Sequence, residues 1–212
     1  MKTFIFSFLI FTAVFAHAQN DKYATAMKAA LLKLDTAKTT ADFENIAASF
    51  TRIGDAEKTQ WLPYYWAGMA LSNIGWVDTK VDKDVLGGRI IALSDKADAL
   101  TSDNKDKAEI FVLRNMAATQ QMLVDPQNRY MTYGQQAASY LQKGMALNAN
   151  NPRLYYLQGM SVFNTPEQFG GGKEKAKPLF EKAVSLYKAE HAKPLYPFWG
   201  DKLSTDMLEQ CQ

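Results

Sequence analysis

The segment Tyr64-Tyr65-Trp66-Ala67-Gly68-Met69-Ala70-Leu71-Ser72-Asn73 returns as Tyr155-Tyr156-Leu157-Gln158-Gly159-Met160-Ser161-Val162-Phe163-Asn164. A fainter copy, Phe111-Val112-Leu113-Arg114-Asn115-Met116-Ala117-Ala118-Thr119-Gln120, lies between them, so equivalent segments begin at positions 64, 111 and 155. Self-similarity at a period of about 45 residues marks stacked supersecondary units, none of which can bury its apolar face without a neighbour. A chain built this way presents a repeated surface along one side, and such surfaces usually bind.

Apolar residues recur at three- and four-residue spacing almost from end to end, and strict alternation rich in Val, Ile and Thr is absent. That pattern makes the fold all-α. Helices are predicted at 21–35, 40–53, 60–74, 84–101, 105–123, 130–147, 152–164, 174–189 and 198–210, which pair into about four antiparallel hairpins and a C-terminal capping helix. Breakers fall between them. Thr40-Ala41-Asp42 offers caps, Asp125-Pro126 stops one helix, and Asn151-Pro152 starts another with proline in its first turn, where the missing N–H costs little. The stretches Gly75–Lys80 and Asn164–Gly172 read as loops inside hairpins. Pro178 predicts that the helix around it begins near Lys175 or is distorted in its first turn.

The N-terminus carries Lys2, an apolar run from Phe4 to Phe15, and Ala16-His17-Ala18. The run is shorter than the ~20 residues a membrane span requires, and Ala-x-Ala suits signal peptidase. Residues 1–18 are therefore expected to be a cleaved signal peptide, and 19–212 a single helical-repeat domain, secreted or periplasmic, with no membrane insertion of the mature chain. A net charge of +2 gives no footprint for nucleic acid. The single cysteine, Cys211, permits no internal disulfide, and the mature chain retains one histidine, His191. No metal, cofactor or nucleophile–base pair is expected from so sparse a set.

Tyr155-x2-Gln158-Gly159-x2-Val162, followed by Ala176-x3-Phe180-x2-Ala183, resembles the tetratricopeptide repeat, and Ala137-x3-Leu141-x2-Gly144 gives a second helix of the same kind. The likeness is good over 130–190 and weaker elsewhere; Ala149 stands where the family typically has proline. The Gly-rich stretch from Pro166 to Ala176 is also similar to exported bacterial repeat proteins, including helical components of some solute transporters. The resemblance implies a solenoid whose first helices line a concave groove.

On that arrangement the groove is lined by Tyr65, Met69 and Asn73 from one helix, by Val112, Met116 and Gln120 from the next, and by Arg153, Tyr156, Met160, Phe163 and Asn164 from the third. A methionine occupies the equivalent point in each. Thioethers repack at little cost and tyrosine joins area to a hydroxyl, so the stripe suits an apolar or extended ligand; the competing reading is that the methionines are core. Gly170-Gly171-Gly172-Lys173 lacks the first glycine of a nucleotide loop and reads as a turn with Phe169 plugging the hairpin. Trp66 reads as core and Trp76 as exposed, and Tyr196-Pro197-Phe198-Trp199-Gly200 as the seal of the last hairpin. The expected function is a non-catalytic adaptor that binds a protein or peptide partner, the alternative a solute-handling component holding an apolar small molecule.

Overall fold

The computed structural model describes residues 6–191 and 193–212, with side chains from Asp21 onward. The first five residues of the expected signal peptide lie outside the described residues, and the remainder of it appears only as backbone of the first helix. The chain runs through α1 (Phe6–Thr36), α2 (Thr40–Glu57), α3 (Leu62–Val77), α4 (Lys83–Asp98), α5 (Asn104–Met122), α6 (Pro126–Arg129), α7 (Gln135–Leu147), α8 (Pro152–Asn164), α9 (Lys173–Ala189) and α10 (Asp201–Glu209). Among the described residues there is no strand. A π-helical turn, Tyr130–Gly134, joins α6 to α7, so the second helix of the third hairpin begins earlier than the periodicity predicts.

Helix boundaries follow local chemistry. Thr39, one residue before the expected cap, accepts from the Asp42 backbone N–H while the Asp42 carboxylate accepts from Thr39, a reciprocal box that starts α2 and contributes about 1 kcal/mol. Asp82 and Asp103 cap α4 and α5 by accepting from backbone N–H groups of the first turn, and Asn151 caps α8 ahead of Pro152. Two expectations are corrected. Helix α3 continues to Val77, past the expected loop start, and α9 begins at Lys173 with Pro178 inside it. The carbonyl that Pro178 cannot serve belongs to Glu174, an exposed residue in the first turn.

The helices pair as α1/α2, α3/α4, α5/α7 and α8/α9, each second helix also packing on the next hairpin, with α10 closing the end against α9. The repeated glycine of the echo explains how closely they approach. A Cβ on Gly68 would stand 2.5 Å from Leu113, and one on Gly159 would stand 2.6 Å from the Phe180 ring. Helix α3 is the centre of the molecule. From Trp61 through Gly75 only Asn73 is not buried, because α3 is enclosed by α2, α4, α5 and the C-terminal segment at once.

Candidate functional site

Helices α3, α5 and α8 lie side by side, and their N-terminal halves bring together a buried polar cluster. Asn151, the cap of α8, donates to Glu109 Oε1 at 2.8 Å. Arg153 Nε donates to both oxygens of Glu109 at 2.9 and 3.0 Å. The other edge of the guanidinium is paired with Glu190, just beyond α9, and Tyr65 sits 3.5 Å from Glu109 Oε2. Arg153 is 3% exposed and Glu109 6%, so this is an ion pair inside the protein.

Burial pushes the Glu109 carboxyl above its usual range against the pull of Arg153 and Asn151. Burial also acts to lower Arg153, but the charges of Glu109 and Glu190 outweigh it and hold the guanidinium protonated. Burial raises the Tyr65 hydroxyl, with Glu109 adding to the shift.

Over this cluster runs the segment Lys193–Gly200, which returns from α9 to the far side of α3. Trp66 Nε1 donates to the Leu195 carbonyl at 2.8 Å, Trp199 Nε1 donates to the Tyr65 hydroxyl at 2.9 Å, and the Tyr187 hydroxyl donates to the Trp199 carbonyl at 3.1 Å. Tyr196 meets Trp61 edge-on with centroids 5.7 Å apart, and Phe198 lies 5.4 Å from Trp66. Leu195 adopts φ 68°, a left-handed conformation costing a leucine roughly 1–2 kcal/mol, which the bond from Trp66 helps to offset. The expected seal of the last hairpin is thus a strap over α3 that ends beside Tyr156 of α8.

The strap divides the predicted groove residues. Tyr65, Met69, Val112, Gln120 and Arg153 are buried, and their expected place on an open surface is corrected: tertiary cover from the strap and from neighbouring hairpins turns the first half of the stripe into core. Gln120 donates to the Ser72 carbonyl and hydroxyl. Asn73 and Asn164 make the same local bond, each donating to the carbonyl four residues back, on Met69 and Met160; their amides finish helices. Met116, Tyr156, Met160 and Phe163 remain half-buried. Tyr156, Met160 and Phe163 share one face of α8, with Trp199 edge-on to Tyr156 at 6.3 Å and Lys173 Nζ 6.0 Å from the Phe163 ring. The structure therefore leaves a short apolar strip with a cation at one end.

Elsewhere, Trp66 is buried and Trp76 is 53% exposed, as read from the sequence. Phe169 is 74% exposed and plugs nothing, because the turn is closed by backbone bonds from Gly171 to Pro166 and from Gly172 to Val162. Glu190 and Tyr187 escaped sequence reasoning, and Asn151 and Trp199 were read only as a helix start and part of a seal. A signal existed for the pair at the centre: Glu109 and Arg153 occupy equivalent positions of adjacent copies, an acid facing a base. Among the described residues no His/Cys/Asp/Glu cluster could hold a metal, and no helix is long and apolar enough to cross a membrane.

No protein-family pattern matches the chain, and neither does any curated protein. Among solved structures, the HusA haemophore from Porphyromonas gingivalis superposes with a TM-score of 0.80 at 34% identity, over 90% of this chain and 92% of that one. Likeness of this depth along nearly the full length of both proteins reaches past a shared helical architecture: the chain belongs to the family of the HusA haemophore.

Proposed function

We propose that the protein is an exported, non-catalytic carrier of a flat apolar solute of the haem class. The single observation that carries the reading is the strip on α8, where Tyr156, Met160 and Phe163 stand half-open between Trp199 and Lys173. The residues fit such a cargo. Aromatic faces and thioethers pack against a planar macrocycle, and Lys173, for which no ion pair is present among the described residues, suits a peripheral carboxylate. Membership of a haemophore family supports the same reading.

On this reading residues 1–18 are removed on export, 19–212 act as one domain, and the repeats are of tetratricopeptide type. A second reading, recognition of a protein or peptide partner, is favoured by the strap itself, since α3 already holds a stretch of this chain's own backbone. The deciding experiment is titration of the mature protein with haemin, followed by Soret absorbance. Saturable one-to-one binding, weakened several-fold by Lys173→Glu, is expected. Absence of a saturable change would leave the peptide reading in its place.

A further inference from the structure

The end of the stack opposite α10 carries a second feature. Between α1 and α2 lies an open cleft of about 420 Å³, floored by Ala26, Ala29, Ala30, Ile46, Ile53 and Ala56, within the size range of small-molecule sites. Its walls are charged unequally: Lys22, Lys33 and Arg52 against Glu57 alone. None of these three cations takes part in an ion pair among the described residues, and residues 1–20 contain no acid that might serve them. Arg52 is held by the Ser49 hydroxyl.

Tyr23 forms part of the wall, is 7% exposed, and its hydroxyl has no hydrogen-bond partner among the described residues. Leaving a buried hydroxyl unbonded is destabilising. Burial, with Glu57 close by, raises its pKa to about 12, so it is a donor at neutral pH.

The shape selects among ligands. Two antiparallel helices floored by alanine form a trough, and the eleven residue steps from Lys22 to Lys33 extend it to roughly 16 Å at 1.5 Å per residue. A trough of that form takes a single alkyl chain lengthwise, and the excess of cations favours a negative head.

We propose that the α1–α2 cleft is a binding site for a free linear anionic amphiphile, a medium-chain carboxylate, separate from the strip on α8. The chain lies on the alanine floor, and the carboxylate meets the cations at one end of the trough, Lys22 and Arg52.

The test uses the mature full-length chain and dodecanoate, with dodecanol as the uncharged control, followed by the methyl resonances of Ile46 and Ile53. Saturable shifts with dodecanoate, at least ten-fold weaker with dodecanol, are expected. Ala29→Phe fills the trough at an exposed helical position and should abolish these shifts, Arg52→Gln should weaken them several-fold, and both should leave haemin titration unchanged. Equal binding of dodecanol, or unchanged binding in Ala29→Phe, would overturn the proposal. Loss of haemin binding in Ala29→Phe would overturn the separateness of the two sites. Binding to phosphatidylglycerol vesicles without binding of dodecanoate would show a membrane contact instead.

Discussion

Arg153 faces two carboxylates from inside the protein, so removing it leaves Glu109 buried with a charge that Asn151 alone cannot compensate. Arg153→Met should cost about 3–5 kcal/mol in chemical denaturation at neutral pH. The sign of its pH dependence is fixed by Glu109, whose folded value already lies above its unfolded one. Such a group binds more protons in the folded than in the unfolded state as pH falls, so the deficit of Arg153→Met should shrink between pH 7 and pH 5. Glu44 and Asp98 behave oppositely. Arg89 holds Glu44 below its ordinary 4.5; at Asp98 burial acts upward, but Lys107 and Arg114 outweigh it and hold the carboxyl below 3.8. Their stabilisation is intact above these ordinary values and is lost as pH falls through the depressed ones. A deficit of Arg153→Met that grows towards pH 5 would show that Glu109 is not the buried charge at issue. The two tyrosines of the echo part company at this scale as well. Tyr65 is fully buried, and Tyr65→Ala should cost about 3–5 kcal/mol of stability. Half-open Tyr156 should lose ~1–3 kcal/mol of ligand affinity on truncation, with much less effect on melting.

At the scale of elements, the strap decides which parts of the repeated stripe stay open. It is tied by single bonds from Trp66, Trp199 and Tyr187 and carries one strained residue, Leu195. Trp199→Ala removes the bond to Tyr65 and the ring beside Tyr156 together. It should cost about 2–3 kcal/mol, below the 3–5 typical of a fully buried tryptophan, and should raise hydrogen exchange across 193–200 while α3 stays protected. Uniform loss of protection in α3 and the strap would mean that the two unfold as one unit. The helices were legible because each carries its own period, and Asn151-Pro152 starts α8 where the sequence placed it. The strap was not. Its contacts join residues as far apart as Tyr65 and Trp199, and no local pattern in Tyr196-Pro197-Phe198-Trp199 records which distant helix will receive it. Periodicity likewise placed Tyr65 and Tyr156 on equivalent faces without revealing that one is roofed and the other lies at the strap's edge.

For the whole molecule, stability comes from apolar packing between hairpins, with a lone cysteine and no metal cluster among the described residues. Melting should therefore be indifferent to chelator and reductant; a fall of several degrees with either would reveal a structural metal or an intermolecular disulfide. The repeat makes the stack, and departures from the repeat make the proposed site: an acid and a base at equivalent positions of α5 and α8, a strap over α3, and a half-open strip on α8. The most direct test of that account is the haemin affinity of Met160→Glu, measured beside its melting temperature. A carboxylate placed at the centre of the half-open strip should weaken haemin at least ten-fold while melting moves by only a few degrees. Unchanged affinity in a folded Met160→Glu protein would contradict the assignment of the strip as the ligand site.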